Sequence, residues 1–447
     1  MALSGIQIYK LLPQTNCKDC DFPTCLAFAM KLASKQASLA DCPHVSKESQ
    51  AKLEESAAPP IQLVTLKANG REVKAGNETV MFRHEKTFYN PPGLFVRLRD
   101  DLPADELTAK AQEIANYEVD YVGMALSVDG FAIESMGDGA AFAAAVEAVL
   151  GVAQRPLILI ADDPQVMAEG LKAAAGVSPL VYGATADNWQ AFADLAKEHK
   201  ASMAIRAASL SALAGLTAEI KAAGVTEIVL DTMVRDMASS LATQTQLRRL
   251  ALKKNFRALG YPVIAFPGEC VADEAMVSIA ATQAITKYAS IVVLEEFSEA
   301  TIYPLLVLRQ NIYTDPQKPI QVQPGIYEIN DPGPDAPAMI TTNFSITYFS
   351  VANELDGAGL PSWLVVSDAE GMSVLTAWAA GKFDAERIAK DVKAFGLEDK
   401  LNHKNLILPG HVAVLSGELE EELPGWDILV GPREAVDLPA YLKVRAG

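Results

Sequence analysis

The sequence predicts an α/β protein in three parts: a small cysteine-rich module, a central (β/α)8 TIM barrel and a small open α/β domain. Four of the five cysteines, Cys17, Cys20, Cys25 and Cys42, share one N-terminal stretch in the pattern C-x2-C-x4-C-x16-C. From about Ile61 to Tyr313, short β-rich runs alternate with long Ala-rich helical stretches. Prolines then accumulate between Thr314 and Pro337 before strand and helix patterns resume.

The first part, residues 1–58, reads as a metal-holding module. Ile6–Leu12 and Thr24–Ala37 are predicted helices, the second from Leu26, Ala29, Met30 and Ala33 at spacings of three and four. Between them the loop from Asn16 to Cys25 offers three thiolates, and Cys42, followed by Pro43, supplies the fourth. A tight triplet plus one remote cysteine lets the backbone wrap a cubane [4Fe-4S] cluster. Structural zinc more often uses two C-x2-C knuckles, and one is present here, so zinc is the less favoured alternative. About sixty residues bury little core, and a cluster would act as the staple. The opening residues lack the basic region and apolar run of a secretory signal. No apolar stretch approaches the roughly 20 residues that span a bilayer; Ala140–Val152 is short and holds Glu147. A cytoplasmic setting is expected, which keeps thiols reduced and disfavours disulfides. The solitary Cys270 is expected to be buried packing.

The second part, residues 59–315, opens with a leading Glu78–Arg83 segment. Eight predicted strands follow: Leu94–Leu98, Tyr121–Ser127, Pro156–Ala161, Leu180–Tyr182, Ser202–Ile205, Glu227–Asp231, Val263–Phe266 and Ile291–Leu294. Helices are predicted at Asp105–Asn116, Ala140–Val152, Asn188–His199, Ser209–Ala223, Thr243–Ala258 and Ala272–Thr286. Eight strand–helix units over this length fit a barrel of about 250 residues better than an open doubly wound sheet. Arg83, His84, Asp231, Glu295 and Glu296 lie near predicted strand ends, where barrel enzymes place catalysis. Strand-end acids in an acidic chain are mostly solvated or paired, so no catalytic residue is assigned.

Six prolines in the span 314–337 mark 316–337 as a stiff, non-helical linker. The third part, residues 338–447, begins with Ala338–Thr342 and a helix from Ser345 to Leu355. Runs at 362–366, 405–410 and 428–432 alternate with helices from Ser373, from Asp384 and at the C-terminus. Strands ending in polar or Gly-rich turns that feed helices describe a Rossmann-like open sheet, whose ligands bind outside the strand C-termini. Over the whole chain, 447 residues that are half hydrophobic supply two or three cores. A formal net charge of −18 disfavours nucleic acid and anionic membrane as partners, leaving proteins and small molecules.

The stretch Leu11-Leu12-Pro13-Gln14-Thr15-Asn16-Cys17-Lys18-Asp19-Cys20, with Cys25 and Cys42-Pro43, resembles the large (gamma) subunits of corrinoid iron–sulfur proteins. So do Thr341-Thr342-Asn343-Phe344-Ser345-Ile346-Thr347-Tyr348, Leu408-Pro409-Gly410-His411 and Val430-Gly431-Pro432-Arg433-Glu434, and the resemblance covers the whole chain. It implies a [4Fe-4S] cluster on Cys17, Cys20, Cys25 and Cys42, and a cobalamin-type corrinoid on the C-terminal domain. It also implies a heterodimer with a small (delta) subunit. The implied role is a methyl carrier of the acetyl-CoA (Wood–Ljungdahl) pathway, a carrier component and not a free-standing enzyme. Its cobalt takes a methyl group from methyltetrahydrofolate on a separate methyltransferase and delivers it to acetyl-CoA synthase. The cluster returns stray Co(II) to Co(I).

Read beside that family, three loops are the expected corrinoid contacts. Thr341, Thr342, Asn343, Ser345 and Thr347 offer hydroxyls and an amide to the corrin's amide side chains. Gly371, Ser373, Val374, Leu375 and Thr376 open the next helix, with Thr376 facing cobalt. Gly410, His411, Gly431, Pro432 and Glu434 line the remaining edge. Against this, Ser345 and Ser373 are also the residue types that cap helices, and the glycines can simply end strands. None of His44, His84, His199, His403 and His411 sits in the D-x-H-x-x-G motif that supplies a lower cobalt ligand in many methyl-carrying corrinoid proteins. The lower ligand is therefore expected not to be a protein imidazole, and a missing strong axial donor eases reduction of the cobalt. Two other readings stand: a barrel methyltransferase that binds the methyl-pterin itself, and an iron–sulfur electron-transfer subunit without corrinoid.

Overall fold

The computed structural model describes residues 5–34, 36–50, 53, 59–121, 124–271, 273–315 and 320–446, the side chains of 270, 445 and 446 excepted. The expected module end at 58, linker residues 316–319 and the packing of Cys270 lie outside the described residues. The chain forms two compact units: Met1–Glu118 with Ser127–Tyr313, and Val119–Leu126 with Thr314–Gly447.

In the first unit, the helices Gly5–Tyr9 and Cys25–Ala33 flank the cysteine loop. The Thr24 hydroxyl caps the second by accepting from the Ala27 N–H at 3.1 Å. Ile8, Leu12, Phe28, Ala29 and Leu53 bury against Cys20, Cys25 and Cys42 in one small core. An antiparallel hairpin follows, β1 (Val64–Ala68) with β2 (Arg71–Ala75). The leading Glu78–Arg83 segment is irregular. Arg83 reaches back to the carbonyls of Asn311 and Ile312 (2.9 and 2.7 Å), and His84 stacks on Phe82, so neither stands at a strand end.

The barrel strands are β3 (Gly93–Arg99), β6 (Gly130–Glu134), β7 (Leu157–Ile160), β8 (Leu180–Ala184), β9 (Ser202–Arg206), β10 (Ile228–Asp231), β11 (Ile264–Ala265) and β12 (Ile291–Leu294). They run parallel in the order β10-β9-β8-β7-β6-β3-β12-β11. A parallel bridge from Leu230 to Val263 brings the two ends together. Runs such as Leu157–Ile160 and Ile291–Leu294 are buried throughout, as parallel strands covered on both faces must be. Val64, Leu66, Val73 and Ala75 of the β1–β2 hairpin join the core built on Phe95, Ile158 and Val293. Lys67 bridges to Ser178, just before β8, so the hairpin caps the N-terminal end of the barrel.

The predicted second barrel strand, Tyr121–Ser127, is corrected: that place belongs to β6. Residues 118–127 instead form β4 (Glu118–Tyr121) and β5 (Met124–Ser127), a separate two-stranded pair whose Val119–Leu126 portion belongs to the second unit. There Tyr121 and Met124 pack beside Tyr327, Tyr348 and Phe349.

The second unit is a five-stranded sheet of β13 (Gly325–Ile329), β14 (Ala338–Thr342), β15 (Ser362–Ser367), β16 (Asn405–Leu408) and β17 (Asp427–Val430), in the order β13-β15-β14-β16-β17. All pairs are parallel except β13 with β15. β13 falls inside the span the prolines mark as linker, so residues 325–329 are an edge strand of this sheet and not part of a connector. Side chains alternate between two layers with the strand period of two. Ala338, Ile340, Val365, Leu406 and Leu408 join one core, and Met339, Leu364, Val366 and Ile407 the other.

Candidate functional site

Sheet topology fixes where a ligand fits in the second unit. The chain leaves β14 to one side for β15 and to the other for β16, so the order reverses between β14 and β16. Loops diverge there, and open α/β sheets bind ligands in that crevice at the strand C-termini. A cavity of about 290 Å³ occupies this place. Met339 and Ile340 of β14, Ile407 and Leu408 of β16 and Pro409 just beyond it line its floor, with Thr341 near the end of β14 beside them. Helix Ser345–Gly357 contributes Ile346, Thr347, Ser350 and Val351.

Of the fifteen residues expected to contact a corrinoid, nine border this cavity: Thr341, Thr347, Ser373, Val374, Leu375, His411, Gly431, Pro432 and Glu434. Thr341 is 2% exposed, and its hydroxyl has no hydrogen-bond partner. His411 Nε2 stands 3.7 Å from Glu434 Oε1 at the opposite edge. The other six are Thr342, Asn343, Ser345, Gly371, Thr376 and Gly410.

Asn343 organises the loops around the cavity. Its Oδ1 accepts from the N–H groups of Ala369 and Gly371, both at 2.9 Å. Its Nδ2 donates to Gln321 Oε1 and Asp368 Oδ1, both at 3.2 Å. Gly371 has φ +73°, and a Cβ there would meet the Gln321 side chain at 2.8 Å, so glycine is required. Thr376 shares a 3.0 Å hydrogen bond with Ser373 across the first turn of the helix Val374–Ala379. Gly410 lets two loops meet, since its Cβ would fall 2.5 Å from the Gly431 carbonyl oxygen. The floor residues Met339, Ile340, Ile407 and Leu408 were not foreseen, because strand-interior apolar residues carry no signal beyond core.

The second candidate centre is the cysteine loop. Gln14, Asn16, Lys18 and Asp21 have φ of 59°, 50°, 71° and 62°. Interleaved left-handed residues are how a short loop gathers backbone N–H groups around an anionic centre. Asn16 Oδ1 accepts the Cys25 N–H at 2.8 Å, tying the loop's start to its third cysteine. Cys20, Cys25 and Cys42 are buried and Cys17 is exposed; all four are free thiols. Asp19 Oδ2 stands 2.6 Å from His44 Nε2. Hydrogen bonds from His44 and then Cys17 hold the Asp19 carboxyl below the usual carboxylate range. Ligand atoms of Cys17, Asp19 and His44 all lie within 4.8 Å of one another.

At the C-terminal mouth of the barrel the strand-end charges pair with one another. Arg97 lies 2.8 Å from Glu269, 3.2 Å from Glu295 and 3.4 Å from Glu134. Burial pushes the Glu295 carboxyl above its usual range, with Arg97 opposing. Asp231 is buried, accepts a 2.5 Å hydrogen bond from Tyr182 and holds Arg235 in a two-pronged pair at 2.8 and 2.9 Å. The expectation that Asp231 and Glu295 are paired fits this arrangement; Glu296 is exposed.

Residues 63–442 match the CO dehydrogenase/acetyl-CoA synthase delta subunit family, and residues 12–44 match an Fe-S cluster family. The corrinoid/iron-sulfur protein large subunit of Moorella thermoacetica is 44% identical over 444 residues, 99% of each chain. Gamma subunits of the acetyl-CoA decarbonylase/synthase complex match similarly. The Archaeoglobus fulgidus protein is 35% identical over 98% of each chain. The Methanopyrus kandleri protein is 36% identical over 99% of this chain and 97% of its own. A dihydropteroate synthase structure from Xanthomonas albilineans overlays with a TM-score of 0.41 at 15% identity, over 57% of this chain and 100% of its own, too distant to argue from.

Proposed function

The chain belongs to the CO dehydrogenase/acetyl-CoA synthase delta subunit family, among the large (gamma) subunits of corrinoid/iron–sulfur proteins, and from that premise we propose that it is a methyl carrier. It takes a methyl group from methyltetrahydrofolate by way of a separate methyltransferase and delivers it to acetyl-CoA synthase. It works as a heterodimer with a small (delta) subunit. When bound, the corrinoid supplies a cobalt that accepts and releases the methyl group, and the [4Fe-4S] cluster supplies the electron that restores inactive cobalt.

The observation that carries the reading is the cavity at the β14/β16 switch point, which nine of the fifteen expected contact residues border. A macrocycle with an apolar face and amide side chains wants an apolar floor edged by hydroxyls. Ile340, Val351, Val374 and Leu408 supply the floor, and Thr341, Thr347, Ser350 and Ser373 the edge. Asn343 keeps the 369–371 loop in place, so the helix it leads into presents Ser373 and Leu375 to the cavity. His411 and Glu434 stand 3.7 Å apart along the same cavity edge. Cys17, Cys20, Cys25 and Cys42 would hold the cluster, and the apolar wall of Ile8, Phe28 and Leu53 would limit its access to water.

Elemental analysis tests this on protein purified anaerobically after co-expression with its small subunit in a corrinoid-supplied host. About four irons and one cobalt per chain are expected. Iron without cobalt would favour an electron-transfer subunit, and zinc alone would overturn the cluster.

A further inference from the structure

The cysteine site is not symmetrical. Cys20, Cys25 and Cys42 are buried, whereas Cys17 is exposed, so one corner of a bound cluster would open to solvent. An oxygen donor stands at that corner. The Asp19 carboxylate accepts a hydrogen bond from His44, and its oxygen, the Cys17 Sγ and a His44 ring nitrogen lie within 4.8 Å of one another. The His44 contact, at 2.6 Å, joins two stretches 25 residues apart, the loop behind Cys17 and the arm behind Cys42. No other group of three or more metal-binding side chains gathers this closely among the described residues.

Resting on the cluster reading above, we propose that Asp19 is a reserve ligand for the Cys17 corner of the cluster, with His44 as its positioning residue. The exchange is a simple substitution. The Fe–Sγ bond to Cys17 breaks and the thiolate takes a proton from solvent, while an Asp19 oxygen forms an Fe–O bond. One anionic ligand replaces another, and no electron moves. Iron accepts carboxylate oxygen, and His44 holds the carboxylate as a hydrogen-bonding partner behind a metal ligand does. The corner most open to oxidants is thereby the corner with a second means of keeping its iron.

Iron content and EPR of the anaerobic heterodimer test the proposal, because neither depends on methyl transfer. Cys17→Ala should retain about four irons and a reduced [4Fe-4S] signal. Adding Asp19→Ala should drop the content to about three, with the signal of an oxidised [3Fe-4S] cluster. Adding His44→Ala to Cys17→Ala instead should speed iron loss to a chelator by about 10- to 100-fold. A three-iron cluster in Cys17→Ala with Asp19 intact overturns the proposal and leaves the pair as a clasp on the Cys42 arm. If Cys17→Ala does not fold, Asp19→Ala with all four cysteines is treated with ferricyanide. A higher three-iron yield than wild type is expected, and an equal yield overturns the proposal. Wild-type protein without iron would instead sink the cluster reading on which this rests.

Discussion

Replacing Asn343 by alanine should destabilise the C-terminal unit by about 2–4 kcal/mol. The side chain is 1% exposed and makes four hydrogen bonds. Alanine removes all four and leaves the N–H groups of Ala369 and Gly371 without their acceptor. Each buried donor so stranded costs about 1–3 kcal/mol. A water entering the vacated space would recover part of that, which brings the sum of about 2–6 kcal/mol down to about 2–4 kcal/mol. The bonds to Gln321 and Asp368 are longer and add little. Asn343→Asp should not rescue, because it turns a carboxylate toward Asp368 Oδ1, now 3.2 Å away. Urea denaturation followed by tryptophan fluorescence reads the effect, since Trp363, Trp378 and Trp426 lie in this unit and the fourth tryptophan, Trp189, lies in the other. A loss under about 0.5 kcal/mol, the range of a surface substitution, would refute the assignment of Asn343 as the loop's anchor.

Thr341 and Thr342 both bury a hydroxyl without a partner, but only Thr341 borders the cavity. Valine at either should leave stability unchanged or raise it by up to about 1 kcal/mol. Anaerobic corrinoid titration should show up to about tenfold weaker binding for Thr341→Val alone; equal losses in both would move the site. At the barrel mouth, burial raises the Glu295 carboxyl above its unfolded value. Its favourable contribution is therefore present below the unfolded value and lost as pH rises through the folded one. Glu295→Gln should accordingly gain on wild type as pH rises from the acid side toward neutrality, read as urea midpoints, while Arg97 keeps Glu269 at 2.8 Å; parallel curves would contradict the sign. Tyr182→Phe removes the 2.5 Å hydrogen bond to buried Asp231. It should cost the barrel about 1–3 kcal/mol, measured by thermal unfolding, because Asp231 keeps Arg235 and the Met233 N–H.

The barrel was legible where burial on both faces forces a run of apolar residues, as at Leu157–Ile160 and Ile291–Leu294. It was not legible where a strand's destination depends on distant partners. Tyr121 and Met124–Ser127 have the composition of a strand and are strand, yet Tyr121 packs on Phe349 rather than into the barrel. Local pattern carries no address of that kind. The β1–β2 hairpin was missed because Lys67, Glu72 and Lys74 interrupt its apolar residues, which is how a hairpin with one wet face reads. The helix Pro164–Ala173 was missed although Asp163 caps it and Pro164 opens it. The helix Glu299–Tyr313 carries Pro304 inside it, which argues against helix locally. Prolines 324 and 332 suggested a connector, but β13 between them is an edge strand, the one place in a sheet that tolerates nearby proline.

The site was legible to the level of loops and not of side chains, and the reason is chemical. Strand ends that feed helices, with hydroxyls and glycines at the turn, mark a ligand edge in any open α/β sheet, and such residues border the cavity. A hydroxyl or amide at such an edge has two possible employers, the ligand or the loop's own backbone, and both are satisfied by the same hydrogen bonds. Thr341 borders the cavity with its hydroxyl buried and unbonded, whereas Asn343, two residues on, spends all four of its hydrogen bonds on the loops. Only the path of the 369–371 backbone, set by Gly371 in the left-handed region and by Gln321 behind it, decides between those roles. In the cysteine module the candidate ligands can be picked out by spacing, but the exposure of Cys17 and the approach of His44 to Asp19 depend on how the Cys42 arm folds back. The sequence pattern thus offers the candidate ligands, and the packing decides which corner of the site is exposed and what stands beside it.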